Sequence, residues 1–174
     1  MALFPGWQAP DFMIATPTGP ISFHAWHRGS WRIVLTHPGD YTTHSLRLAL
    51  PQIHGSGTGL HLLGLSPFPL PEPETGIVPY PGMPSLSGPG AAVTIIQDDT
   101  GHVRTLWRGT AVDAGPEDAM TDAHAVFIVD PVNTIRSTII YPVAATGRDF
   151  DEILRVLSAL DTGHPTLDQA RRAA

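Results

Sequence analysis

Proline decides where this chain can build regular structure. Eight prolines fall between Ser66 and Gly90, in a segment with little charge. Each removes a backbone donor and clashes with the turn before it, so no helix is expected there. The segment is too apolar for a solvated linker and reads as a loop packed onto the rest of the domain. The regular elements are expected on either side of it.

On the N-terminal side, Gly19-Pro20 turns into Ile21-Ser22-Phe23, a short strand candidate. Trp31 to Leu35 (WRIVL) is a compact apolar run with β-branched residues, the pattern of a buried strand. Pro38-Gly39-Asp40 breaks it. Thr42 and Thr43 are N-cap candidates for a helix over HSLRLALPQIHG, where Leu46, Leu50 and Ile53 have helical spacing and Pro51 shortens or kinks the element. Leu60 to Leu65 reads as a second buried strand.

On the C-terminal side, Val93 to Ile96 is a strand candidate and Asp99-Thr100-Gly101 a turn. Ala125 to Val129 and Thr134 to Tyr141 form a hairpin around Asp130-Pro131-Val132-Asn133. Phe150 to Leu160 predicts a helix whose apolar stripe is Phe150, Ile153, Leu154, Leu157 and Leu160. Asp149, Asp151 and Glu152 suit its positive N-terminal end.

Composition narrows the chemistry. The 174 residues suit one domain with a sizeable core. A formal net charge of -6 argues against general affinity for nucleic acid or anionic membrane. No apolar run approaches the roughly 20 residues that span a bilayer, and the N-terminus lacks the features of a signal peptide. Cytoplasm is the expected location. Every basic residue is Arg, which removes lysine nucleophiles and Schiff bases and otherwise reads as the drift of a high-GC genome. There is no cysteine, so disulfides, thiolate catalysis and thiolate metal ligation are excluded together.

Several motifs nonetheless resemble one-cysteine peroxiredoxins, in order along the chain. Gly6 to Phe12 (GWQAPDF) is similar to the family's opening, and Phe23-His24 and Trp31 to its next stretch. His37-Pro38-Gly39-Asp40-Tyr41-Thr42 resembles the family's His-Pro-x-Asp-Phe-Thr. Val126 to Pro131 (VFIVDP), Tyr141-Pro142 and Thr146 to Arg155 (TGRDFDEILR) complete the likeness. The resemblance implies a thioredoxin-like α/β fold, a central mixed sheet flanked by helices. It implies a peroxiredoxin-like domain over 1–160, with 161–174 standing in for most of the family's second domain, and a homodimer.

In that family the peroxidatic cysteine lies three residues after the motif threonine. Here that position is Ser45, the motif's second proline is Thr43, and the family's Arg before the VFIVDP-like strand corresponds to His124. The TGR arginine persists as Arg148. A cysteine peroxidase is thereby excluded. The changed arginine position argues that the site was rebuilt rather than merely disarmed.

The resemblance implies that His37, Tyr41, Thr42, Ser45, His124 and Arg148 converge on the old peroxide site. A histidine in place of an arginine exchanges a fixed cation for a group that titrates near neutrality. It can act as general acid or base, with Ser45 or Tyr41 donating a hydrogen bond. Ser45 as a nucleophile is the weaker reading, because it equally fits an isosteric remnant of the lost cysteine. Pro38, Arg148, Phe68, Tyr80 and Met83 are candidates for binding a small, largely apolar ligand, the last three as a roof from the proline-rich segment.

No cofactor and no metal site are expected. His37, His44 and His124, with Asp40, are the minority metal alternative, and their separations carry no zinc signature. His24 and His27 read as surface or structural. The leading expectation is a small-molecule enzyme of redox-neutral acid–base chemistry (isomerisation, cyclisation, elimination or hydrolysis), with specialised metabolism a natural setting. The alternatives are an inert homologue acting as a regulatory or structural partner, and an engineered cysteine-to-serine peroxidase.

Overall fold

Trp31 to Leu35 is buried at every position, and this places it at the centre of the molecule. A strand covered on both faces needs no polar alternation, so it reads in sequence as an apolar run, interrupted here only by Arg32. The computed structural model describes residues 3–14, 19–41, 60–66, 93–98, 101–108, 124–141 and 148–162. Its strands are β1 (Met13–Ile14), β2 (Ile21–Ser22), β3 (Trp31–Leu35), β4 (Leu60–Ser66), β5 (Val93–Gln97), β6 (His124–Val129) and β7 (Ile135–Tyr141). The described helices are α1 (His102–Arg108) and α2 (Asp151–Thr162), with a 3-10 turn over Pro38–Asp40.

The main sheet has the order β5-β4-β3-β6-β7, and β1 and β2 form a separate antiparallel pair. β3 runs parallel to β4 and β4 parallel to β5, whereas β6 is antiparallel to both β3 and β7. The sheet is therefore mixed, as expected for a thioredoxin-like fold. The expected strands are all present, with ends shifted by a residue or two. Pairs such as Leu35 opposite Val126 and His124 opposite Tyr141 set the register that builds the site.

Alternate residues of β3 and β6 feed two cores. Ile33, Leu35, Val126 and Ile128 meet Phe150, Ile153 and Leu154 on the α2 face. Val34, Ala125 and Phe127 meet Phe12, Phe23 and Trp107 on the other. The expected stripe of α2 is the packed one: Phe150, Ile153 and Leu154 are buried, and Leu157 and Leu160 are partly so. The Asp149 carboxylate accepts the Asp151 N–H at 3.1 Å, and Asp151 and Glu152 occupy the first turn, where acidic groups suit the helix dipole.

The hairpin turn closes on Asp130, whose Oδ1 accepts N–H bonds from Val132 (3.0 Å) and Thr134 (2.8 Å). Asn133 takes a left-handed φ of 69°, which asparagine tolerates. The helix α1 was not foreseen. Its seven residues carry only a short pattern, and its buried residues Val103 and Trp107 are recognisable by what they pack against. The expected helix after Thr43 and the proline-rich loop lie outside the described residues. No described helix is long and apolar enough to cross a membrane.

Candidate functional site

The site forms where β3 ends beside the start of β6. β3 and β6 are antiparallel, with Leu35 opposite Val126. The same register, carried two residues further, sets His37 opposite His124. Their rings lie face to face, with centroids 3.6 Å apart and planes within 5°.

Each ring is tied to the protein at Nδ1. His124 Nδ1 meets Asp40 Oδ2 at 2.5 Å, a bond buried on both sides. His37 Nδ1 lies 2.9 Å from the Thr36 hydroxyl. That hydroxyl is fully buried and also bonds the backbone of Ala125, accepting its N–H at 2.8 Å and lying 3.1 Å from its carbonyl.

Asp40 reaches this position through the 3-10 turn, which Pro38 starts with a preset φ. Gly64 of β4 leaves room for that turn. A Cβ there would come within 3.0 Å of Pro38 Cγ and 2.6 Å of Ile95 Cδ1. The chain then crosses to Arg148, whose N–H donates to the Asp40 carbonyl at 2.8 Å, beside a parallel bridge between Tyr41 and Arg148.

The Arg148 guanidinium sits 3.6 Å over the Tyr141 ring, and its Nε is 3.8 Å from Asp40 Oδ2. Asp40 is thus shared between an imidazole and a guanidinium. Tyr41 is buried beside this group, edge-on to Phe150. Burial first, then Tyr141 and Asp40, raise the Tyr41 phenol well above its ordinary value, with Arg148 opposing. It stays protonated at neutral pH and is a hydrogen-bond donor rather than a base.

This arrangement suits proton transfer. A carboxylate bound to Nδ1 holds the neutral imidazole with its proton there and leaves the Nε2 lone pair as acceptor. It does not suit chelation by the two rings together. With the rings stacked nearly parallel and their centroids 3.6 Å apart, an ion midway between them would lie over the face of each, far from the in-plane approach that a bond of about 2.0–2.1 Å needs. Among the described residues no three His, Asp or Glu side chains converge as metal ligands.

No protein-family model matches the chain. It is 32% identical to "Peroxiredoxin 2" of Thermoplasma acidophilum over 159 residues, 89% of this chain and 75% of that protein. The chain belongs to the peroxiredoxin family. The 1-Cys peroxiredoxin of Medicago truncatula is 31% identical, covering 87% of this chain and 70% of the relative. Among solved structures, a yeast mitochondrial 1-Cys peroxiredoxin gives a TM-score of 0.61 at 22% identity, over 92% of this chain and 77% of that one. A cysteine-to-serine mutant of the peroxiredoxin 6 of Arenicola marina gives 0.59 at 26%, over 92% and 74%.

This peroxiredoxin lacks the peroxidatic cysteine, having no cysteine anywhere. Of the residues expected to converge, the structure brings together His37, Tyr41, His124 and Arg148, and Pro38, expected to bind ligand, begins the turn beside them. Thr42, Ser45, Phe68, Tyr80 and Met83, with His44, lie outside the described residues.

Two partners escaped sequence reasoning. Asp40 enters the sequence reading only as a minority metal ligand, although its place inside the His-Pro-x-Asp motif is a usable signal. Thr36 carried no signal at all. His24 is structural, as expected: its Nε2 bonds the Ala9 carbonyl at 2.6 Å, and Asp11 Oδ1 accepts its backbone N–H. His27 is exposed and stacks on His61 at 3.4 Å, away from the site residues.

Proposed function

We propose that this cysteine-less peroxiredoxin is not a thiol peroxidase, and that its former peroxide site binds a small, largely apolar molecule and carries out redox-neutral acid–base chemistry on it. The observation that carries this reading is the buried 2.5 Å contact between Asp40 and His124, with His37 stacked on the same ring. A purely structural histidine at a strand end needs only a backbone partner. Here a carboxylate orients it, and an oriented imidazole is the usual general base near neutral pH.

In this reading His124 is the base and Asp40 orients it. Tyr41 donates a hydrogen bond, Arg148 offsets the carboxylate charge, and Pro38 shapes the turn. Thr42 and Ser45 supply further donors, and Phe68, Tyr80 and Met83 the apolar roof. The domain over 1–160, a homodimer, a cytoplasmic location and a setting in specialised metabolism belong to the same proposal.

The test is a metabolite screen by ligand-observed NMR on the full chain, with His124→Ala and Ser45→Ala as controls. A ligand lost on His124→Ala supports the reading. A screen with no ligand, together with a site filled by side chains, favours an inert regulatory or structural partner instead. Strong peroxide turnover on Ser45→Cys would point to a disabled peroxidase and sink the repurposing.

A further inference from the structure

Arg32 and His61 are partners in the parallel register of β3 and β4, and the turn over residues 23–29 is fastened to both. The Arg32 guanidinium donates to the carbonyls of Phe23 and Trp26. The His27 ring lies on His61, with centroids 3.4 Å apart and planes within 5°, and Trp26 stands edge-on to each ring. His27 makes this contact from a left-handed backbone, φ 47°, a conformation uncommon outside glycine that persists where contacts hold it. All this happens at the start of β3, the opposite end from the candidate site.

His27 has a cation for a neighbour and, among the described residues, no carboxylate as an ion-pair partner. Burial first, then Arg32 on β3, lower its pKa from the ordinary histidine value. His61 faces it from β4 as a second imidazole. Within the turn, Arg28 is exposed and His24 is turned to Ala9 and Asp11. Asp130, whose carbonyl takes Arg32, spends its carboxylate on the hairpin turn and on Arg136.

We propose that the His27–His61 stack is an acid-released latch: proton uptake by His27 parts the two rings and frees the turn from Trp26 to Gly29, uncovering the Trp26 indole. The latch is closed while His27 is neutral. An imidazolium at position 27 sits against a second imidazole and beside Arg32, whereas a ring swung into solvent hydrates its charge and relaxes the left-handed backbone. The closed form takes up the His27 proton less readily than an ordinary imidazole. Its stability is therefore complete above about pH 6.5 and falls as the pH drops below that value. In acid the chain presents an indole that is 6% exposed in the closed form. The device is independent of the acid–base reading, which concerns the other end of β3.

The experiment is an NMR titration of the full chain from about pH 7.5 to about pH 5, on either side of the ordinary histidine value. The expected result is a His27 midpoint below about 6.5, with Overhauser contacts between the His27 and His61 rings present at the start and lost at the end. The Trp26 indole N–H signal should move with the same midpoint. His27→Phe keeps a stacking ring that cannot titrate, and should hold the Trp26 signal constant with pH. His27→Asn, which tolerates the left-handed backbone, removes the stack and should show the acid-form Trp26 signal at neutral pH already. Ring contacts that persist once His27 is protonated, or a Trp26 shift that survives in His27→Phe, overturn the proposal. Loss of the buried Trp107 indole signal at the same midpoint would make the change a general unfolding and overturn it equally. Should His27→Phe fail to fold, the natural protein's titration and the His27→Asn spectrum decide it.

Discussion

Replacing Asp40 by Asn keeps the shape of the side chain and removes its charge. Asp40 is 6% exposed, and its carboxylate takes His124 Nδ1 at 2.5 Å and stands 3.8 Å from Arg148 Nε. A hydrogen bond to a charged group contributes about 1.5–3 kcal/mol and a neutral one about 0.5–1.5, so the exchange alone costs roughly 1–1.5 kcal/mol. Losing the counter-charge of Arg148 adds to this, for a total of about 1–3 kcal/mol. In a domain of this length each kcal/mol moves Tm by about 2–4 °C, so thermal unfolding should fall by roughly 2–12 °C.

The asparagine amide can offer His124 either its oxygen or its N–H, so the fixed tautomer should give way to a mixture, read by 15N NMR. Circular dichroism melts and the His124 nitrogen shifts together test the reasoning. A Tm within 1 °C of the natural protein, with His124 still wholly Nδ1–H, would refute it: Asp40 would then neither stabilise the site nor orient the ring.

Gly64→Ala places a methyl group against Pro38 and Ile95, and such overpacking costs about 1–3 kcal/mol. Because Pro38 begins the turn that carries Asp40, chemical shifts at His37 and His124 should move as well, whereas a melt change without them would contradict this coupling. Tyr41→Phe tests the alkaline limb of stability. As pH rises past about 10 the unfolded chain loses the phenolic proton while buried Tyr41 keeps it, so the folded state loses up to about 1.4 kcal/mol per pH unit. The Tyr41→Phe variant should lack that loss in denaturant melts between pH 10 and 11. Arg32, lowered by burial to about 10, gives the opposite slope in the same range, so variant and natural protein must be compared at each pH.

Arg32 also shows where the sequence misleads. It is the one charged residue of the buried WRIVL run, and its own type gives no sign that it is fully buried. Its guanidinium donates to the carbonyls of Phe23 (3.0 Å), Trp26 (3.4 Å) and Asp130 (3.0 Å) and lies 4.9 Å from the Phe23 ring centroid. These acceptors come from two turns far apart in the chain, so local patterning cannot reveal them. β3, β4, β6 and β7 were legible because burial on both faces, or a turn of Asp and Asn, leaves a mark in the residues themselves. α1 was not, since seven residues of mixed character hold a helix only by packing Trp107 against Phe12, Phe23 and Phe127.

The family, the strand order's raw material and the loss of thiol chemistry all follow from the sequence alone. The motifs are collinear with those of peroxiredoxins, and a chain without cysteine has no thiolate. The sequence also singled out His37, His124 and Arg148 as residues to watch. It did not say that His37 and His124 stack, that Asp40 holds one and Thr36 contacts the other, or that Tyr41 lies beside Arg148. Apart from the contact between the neighbours Thr36 and His37, these relations join positions about 85 to 110 residues apart. The antiparallel register of β3 and β6, together with the bridge to Arg148, brings them within hydrogen-bonding distance, and register is set by which faces of the whole sheet are buried.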